Sequence, residues 1–249
     1  MAEEPKLALF IDLENIAIGA RDAKLKSFEI SRVLERLVEK GKIIVKKAYA
    51  DWGQYRDYKR PFHEAGIELI DIPQRSYSGK NSADIKMVVD AIDLSYSKEH
   101  INIFAVVSGD SDFVPLVSKL KENDKTVIGV GLKNSTSDLL ASNCDEFIFY
   151  DDLVKQTSRT PARVAKLPKR QQECFELVLD AIEALERENK EVIWGSMVKQ
   201  TIKRKKPSFS ESTYGYSRFN ELLEDAAKAG VIKISKDAKS GSYIISTSG

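Results

Sequence analysis

Ile101-Asn102-Ile103-Phe104-Ala105-Val106-Val107-Ser108-Gly109-Asp110-Ser111-Asp112-Phe113 is the stretch that decides the fold. Ile103 to Val107 is continuously apolar, as a parallel strand covered on both faces must be. Gly109 allows a sharp turn. Asp110 and Asp112 then stand at the strand's carboxyl end, just before a helix expected from Phe113 to Glu122. In open α/β sheets that end is where ligands bind.

Upstream, Leu7 to Ile11 is a second apolar run, ending at Asp12, and reads as a strand near the centre of the same sheet. Ser27 to Lys40 carries Phe28, Ile30, Val33, Leu34, Leu37 and Val38 at helical spacing, with Gly41 as the stop. Strands are expected over Ile43 to Tyr49 and Ile67 to Ile72, with a helix from Asp51 to Ala65 between them. Gln74 to Asn81, centred on Arg75 to Lys80, reads as a polar loop. A helix follows from Ser82 to Ser97, in which Asp84 falls on the apolar face of the first turn. Asp90, Asp93 and Lys86 fall on the other side, read as solvated. Downstream, Lys125 to Gly131 and Glu146 to Tyr150 are strands, and Ser135 to Asp138 resembles a helix cap. Strands alternating with helices at this spacing mean an α/β fold with a parallel sheet.

From Asp151 to Pro168 the composition changes to that of a linker, notably Gln156 to Pro161. Helices are expected over Arg170 to Glu188, Trp194 to Lys205 and Ser217 to Ala229. Val231 to Ile234 and Ser242 to Ser246 flank the hairpin signal Asp237 to Gly241. Helices followed by a hairpin form a winged-helix pattern. The expected organisation is 1–152, a linker over 153–168, and a smaller domain over 169–249.

At 249 residues, 42% of them hydrophobic, the chain can hold two cores. It has no apolar run long enough to span a membrane, and its polar, acidic N-terminus does not read as a signal peptide. Cys144 and Cys174 lack metal-ligand spacing, so neither zinc nor a disulfide framework is expected. A cytoplasmic setting is the default expectation. The net charge of +1 hides an asymmetry: residues 159–249 sum to +5 and residues 1–158 to −4. Such a division suits an acidic metal site joined to a polyanion-binding module.

Asp12, Asp84, Asp110 and Asp112 come from three segments that this topology brings to one end of the sheet. Clustered carboxylates repel one another, and protonation or a cation must relieve the repulsion. A hard divalent ion, Mg2+ or Mn2+, suits oxygen ligands and substrate phosphates. Asn15 is placed to orient a phosphate or water, and Ser108 to hold Asp110 from behind. Taken alone, Asp12 and Asp112 also read as helix caps and Asp84 as the partner of a buried lysine.

Phe10-Ile11-Asp12-Leu13-Glu14-Asn15, Asn81 to Lys86, and Val107 to Leu116 together resemble a NYN domain, a LabA-like branch of the PIN-like nuclease superfamily. The resemblance spans roughly residues 5–150. It implies a PIN-like (Rossmannoid) sheet and metal-dependent RNA cleavage. Asp12, Asp84, Asp110 and Asp112 fall at the family's acidic positions, Asn15 at its asparagine, and Asp90 where a further acid often stands.

Lys199, Lys203, Arg204, Lys205 and Lys206 are followed by Phe209, Tyr214, Tyr216, Arg218 and Phe219. Cations beside exposed aromatics suit nucleic acid, with Lys203, Arg204, Lys205, Lys206, Tyr214, Tyr216 and Arg218 as the expected contacts. The competing reading makes the rings core and the lysines a solvated face; Phe219, Leu222 and Leu223 read as core. The stretch from Trp194 to Phe219 resembles the LOTUS, or OST-HTH, domain, which implies a winged-helix module that binds RNA or docks a protein partner. Three functions follow: a metal-dependent ribonuclease, a catalytically silent RNA-binding adaptor, and an aspartyl-phosphate phosphatase of the haloacid dehalogenase type with Asp12 as nucleophile.

Overall fold

The computed structural model describes residues 4–25, 27–73, 81–155, 164–238 and 240–247. The expected loop over 74–80, the linker stretch Gln156 to Pro161 and Lys239 of the hairpin turn lie outside the described residues. The chain divides into two compact units, Met1–Gln156 and Thr157–Gly249.

In the first unit the elements are β1 (Lys6–Asp12), α1 (Leu13–Asp22), α2 (Ile30–Lys40), β2 (Lys42–Ala50), α3 (Arg56–Glu64) and β3 (Glu68–Asp71). Then come α4 (Ser82–Ser97), β4 (Ile103–Val107), a 3-10 turn (Ser111–Phe113), α5 (Val114–Glu122), β5 (Thr126–Gly131), α6 (Asp138–Asn143), β6 (Glu146–Phe149) and α7 (Tyr150–Lys155). The six strands form one sheet in the order β3-β2-β1-β4-β5-β6, every neighbouring pair parallel. The chain runs outward from β1 to β3, then returns to β4 on the other side of β1. That reversal opens a crevice between the carboxyl ends of β1 and β4. Ile11 pairs with Val107, so Asp12 and Ser108 leave the sheet side by side.

Alternate residues of the central strands feed two cores. Leu7, Leu9, Ile11, Ala105 and Val107 face one layer. Ala8, Phe10, Phe104 and Val106 face the other, against Met87 and Ala91 of α4. Burial on both faces explains the unbroken apolar runs.

Several expectations need correction. Helix α1 was not anticipated; Leu13, Ile16, Ala17 and Ala20 form its buried stripe. The helix before Gly41 begins at Ile30 rather than Ser27. Gly41 ends it in an extended conformation, φ 173°. A Cβ there would meet the Pro5 carbonyl oxygen at 2.5 Å, so close approach, not a left-handed cap, selects glycine. The helix expected from Asp51 starts only at Arg56. That expected from Phe113 is a 3-10 turn first, with Pro115 at the start of α5. Tyr150–Lys155, placed mostly in the linker, is helical. Asp90 is not on a solvated face: its side chain is 14% exposed and pairs with Lys86 at 2.7 Å and Lys47 at 3.5 Å. It also accepts the Tyr49 hydroxyl at 2.8 Å.

The second unit contains a 3-10 turn (Val164–Lys166), α8 (Lys169–Arg187), β7 (Ile193–Trp194), α9 (Gly195–Lys205), a 3-10 turn (Glu211–Tyr214), α10 (Phe219–Lys228), β8 (Ile232–Lys236) and β9 (Tyr243–Thr247). Its strands form an antiparallel sheet, β7-β9-β8. The three expected helices are present with ends that differ by at most two residues; β7 was not foreseen. Phe175, Val178, Ile182, Val198, Ile202, Phe209, Phe219, Leu222 and Leu223 build its core. Among the described residues no helix is long and apolar enough to cross a membrane.

Candidate functional site

Asp12 is the last residue of β1 and the N-cap of α1. It is 7% exposed. One carboxylate oxygen accepts the Asn15 backbone N–H at 3.2 Å and the other accepts the Ser108 hydroxyl at 2.9 Å. Burial raises its carboxyl to about 7; the charges of Asp84 and Glu14 add to that, while the bonds from Asn15 and Ser108 oppose it.

Asp84 lies in the first turn of α4 and is half-buried. Burial, then the charges of Asp110, Asp112 and Glu14, raise its carboxyl to about 6. Asp110 caps the turn after β4, accepting the Asp112 backbone N–H at 2.9 Å. Ser108 is fully buried. Its oxygen also accepts the Asp110 backbone N–H at 3.2 Å, so one hydroxyl joins the ends of β1 and β4.

Asn15 fixes the turn from the other side. Its side-chain oxygen accepts the Gly109 backbone N–H at 2.9 Å, which leaves the amide nitrogen as a donor with no partner among the described residues. The Gly109 carbonyl accepts the Ser137 backbone N–H at 2.9 Å. A Cβ on Gly109 would stand 2.3 Å from the Ser135 carbonyl oxygen, so the loop after β5 can close on this turn only across a glycine.

Asp12, Asp84 and Asp110 line one cleft of about 330 Å3, with Glu14, Asn15, Ile18, Asn81 and Ala83. Asp112 is exposed and lies outside that lining. Glu14, Ile18 and Asn81 were not singled out in the sequence as wall residues. Glu14 and Ile18 are one turn apart on α1, and the signal that could have found them was the apolar spacing that makes α1 a helix. Among the described residues, no lysine, arginine or histidine forms an ion pair with Asp12, Asp84, Asp110 or Asp112.

Among the described residues, no three His, Cys, Asp or Glu side chains come close enough to hold one metal ion as a preformed cage. Mg2+ does not require such a cage: it binds through one or two carboxylates and keeps several waters. The donor set of the cleft, hard carboxylate oxygens with no cation paired to them among the described residues, fits that mode. The residues available to hold the ion are Asp12, Asp84 and Asp110, with Asp112 beside them.

The cationic segment of the second unit is different. Lys203 is exposed. Arg204 bonds Thr201 at 3.3 Å and Lys205 pairs with Asp180 at 2.9 Å. Lys206 donates to the Tyr214 hydroxyl at 3.0 Å and lies over its ring, 5.7 Å from the centroid. The Tyr216 hydroxyl donates to Asp225 at 2.6 Å. Arg218 is exposed at the start of α10. Phe219, Leu222 and Leu223 are core as the sequence reads, and Phe209 joins them there.

Residues 6–151 match the NYN domain family. An uncharacterized protein of Methanocaldococcus jannaschii is 30% identical over 149 residues, 58% of this chain and 55% of that protein. The chain thus spans about half the length of the curated relative it matches. The crystal structure of a protein of unknown function from Vibrio parahaemolyticus is similar over 61% of this chain and 97% of that chain, at 23% identity and a TM-score of 0.54. That likeness is one of fold.

Proposed function

We propose, from the premise that this chain belongs to the NYN domain family through residues 6–151, that it is a metal-dependent ribonuclease hydrolysing RNA phosphodiester bonds. The family is nuclease-associated; the metal, the substrate and the division of labour are the proposal. One observation carries it. Asp12, Asp84 and Asp110, from three separate segments, line a single cleft at the switch point of a parallel sheet, and no cation among the described residues pairs with any of them.

Asp12, Asp84, Asp110 and Asp112 would hold Mg2+ or Mn2+, which when bound lowers the pKa of a water and steadies the leaving oxygen. Ser108 keeps Asp12 oriented and, through its bond from Asp110 N–H, holds the two acid-bearing strand ends at a fixed spacing. Asn15 presents its amide nitrogen to a phosphate oxygen while its carbonyl oxygen holds Gly109. Ile18 and Ala83 give the cleft apolar walls against which a sugar packs.

Residues 1–152 form the PIN-like nuclease domain in this reading, 153–168 a linker and 169–249 a winged-helix domain of the LOTUS, or OST-HTH, type. Three helices with the antiparallel β7-β9-β8 sheet support the last assignment. RNA targeting falls to Lys203, Arg204, Lys206, Tyr214 and Arg218. Lys205 and Tyr216 can contribute only by leaving Asp180 and Asp225.

A silent RNA-binding adaptor is the second reading, supported by the exposed cations Lys203 and Arg218, which could hold RNA without any step at the cleft. The phosphatase reading gains no support: Asp12 is 7% exposed and both its oxygens accept hydrogen bonds. Purified protein on labelled single-stranded RNA, with Mg2+, Mn2+ or chelator, beside the Asp110→Asn variant, tests the proposal. Cleavage should require the metal and vanish in the variant while RNA binding persists. Equal cleavage by both proteins would sink the assignment, and tight binding without turnover in either metal would establish the adaptor.

A further inference from the structure

The outward stripe of α4 is made of Ser82, Ile85, Lys86, Val89, Asp93, Tyr96 and Ser97. A surface helix ordinarily shows water a polar stripe. Here Ile85 is 63% exposed, Val89 54% and Tyr96 57%, on one helix and in one line. Single exposed apolar residues are normal, but a contiguous row of them marks an interaction surface.

The order of the stripe identifies its occupant. Read backwards, it runs Ser97, Tyr96, Asp93, Val89, Lys86, Ile85, Ser82. Laid antiparallel against itself about an axis between Val89 and Asp90, Ser82 meets Ser97, Lys86 meets Asp93, Ile85 falls within one turn of Tyr96, and the two copies of Val89 flank the axis. Such self-complementarity is what a two-fold axis demands, since each contact occurs twice with the roles exchanged. Lys86 keeps about half its side chain exposed while bonded to Asp90 within the helix, so its remaining ammonium hydrogens can be shared with an incoming Asp93.

We infer that this face is a homodimer interface in which α4 packs antiparallel on α4 of a second copy. A helix of 16 residues has a modest contact area. One helix pair falls below the ~1,200 Å2 of a standard stable interface, so the dimer is weak and concentration-dependent. The pairing also brings the end of the partner's α4 against Ser82, two residues before Asp84, so assembly lies beside the mouth of the cleft.

Sedimentation velocity on the full chain across a concentration series, with circular dichroism to check folding, tests this. The wild type should pass from monomer to dimer as concentration rises. Val89→Glu sets like charges face to face at the axis and should raise the dissociation constant at least about tenfold with unchanged dichroism. Lys86→Asp should weaken the dimer, and the double variant Lys86→Asp, Asp93→Lys should restore it. A protein monomeric throughout the series, or a dimer indifferent to Val89→Glu and to the charge reversal, overturns the inference. A monomer whose RNA retention falls in Val89→Glu also overturns it and makes the stripe a nucleic-acid face.

Discussion

The cleft of the first unit and the cationic segment of the second are both dense in charge, yet they treat it in opposite ways. In the cleft, Asp12 and Asp84 are raised to about 7 and about 6 by burial first and then by neighbouring carboxylates, with no cation paired to either among the described residues. In the second unit Lys199 pairs with Glu211 at 2.6 Å, Lys205 with Asp180, and Lys206 with the Tyr214 hydroxyl. Paired charge is structure. Unpaired buried charge costs stability and persists where something else is to neutralise it. The same contrast occurs within α4: Asp84 faces carboxylates, while Asp90 is met by Tyr49, Lys86 and Lys47.

That contrast can be broken by exchanging one atom in each aspartate. Asp84→Asn should lower cleavage by about 10^2- to 10^3-fold, the usual cost of losing one group that stabilises transition-state charge. It should also stabilise the fold at pH 8. The folded-state carboxyl is raised above its unfolded value of 3.8, so its ionisation opposes folding as pH rises through about 6. With solvent screening the gain is about 1 kcal/mol at pH 8, and it fades toward pH 4. Asp90→Asn should do the reverse, losing about 1–2 kcal/mol and keeping cleavage, because it weakens bonds to charged partners. Thermal melts at both pH values with initial cleavage rates decide between them; a stabilised Asp90→Asn would erase the distinction.

Removing the hydroxyl of Ser108 sharpens the same comparison. Ser108→Ala deletes a bond that favours the charged form of Asp12, so that carboxyl should titrate higher. The acidic limb of metal-dependent cleavage should move to higher pH, and stability should fall by about 1 kcal/mol. A pH–rate profile that keeps its acidic limb in place would show that Asp12 does not set it.

The smallest effects belong to the second unit. Lys203→Ala should lower RNA affinity and reduce its salt slope by about one, with the melting temperature unchanged. Lys205→Ala should move stability by less than about 1 kcal/mol with little effect on the slope, since its charge is spent on Asp180. Equal slopes for both variants and the wild type would remove this segment from the RNA contact.

Much of the architecture was legible because the pattern is strong. Apolar runs ending in aspartate gave β1 and β4, and helical spacing gave α4 from Ser82 to Ser97 with its boundaries intact. Helix α1 was not legible because its apolar residues continue those of β1, and periodicity alone does not separate a buried strand from the helix it enters. Glu14 and Ile18 were missed as cleft walls for the same reason. Asp90 was misplaced because helical angles say which side a residue faces, while Tyr49 and Lys47 reach that side from β2, another part of the chain.

The sequence by itself determined the strand–helix alternation, the acids at the strand ends and the division of charge between the two halves, since these rest on local periodicity and composition. Only the tertiary structure decided which charges are matched. Among the described residues Asp12, Asp84 and Asp110 pair with no cation, while Asp90 pairs with Lys86 and Lys47 and Lys205 with Asp180; that follows from distances between segments, where burial and Coulomb interactions act regardless of sequence order.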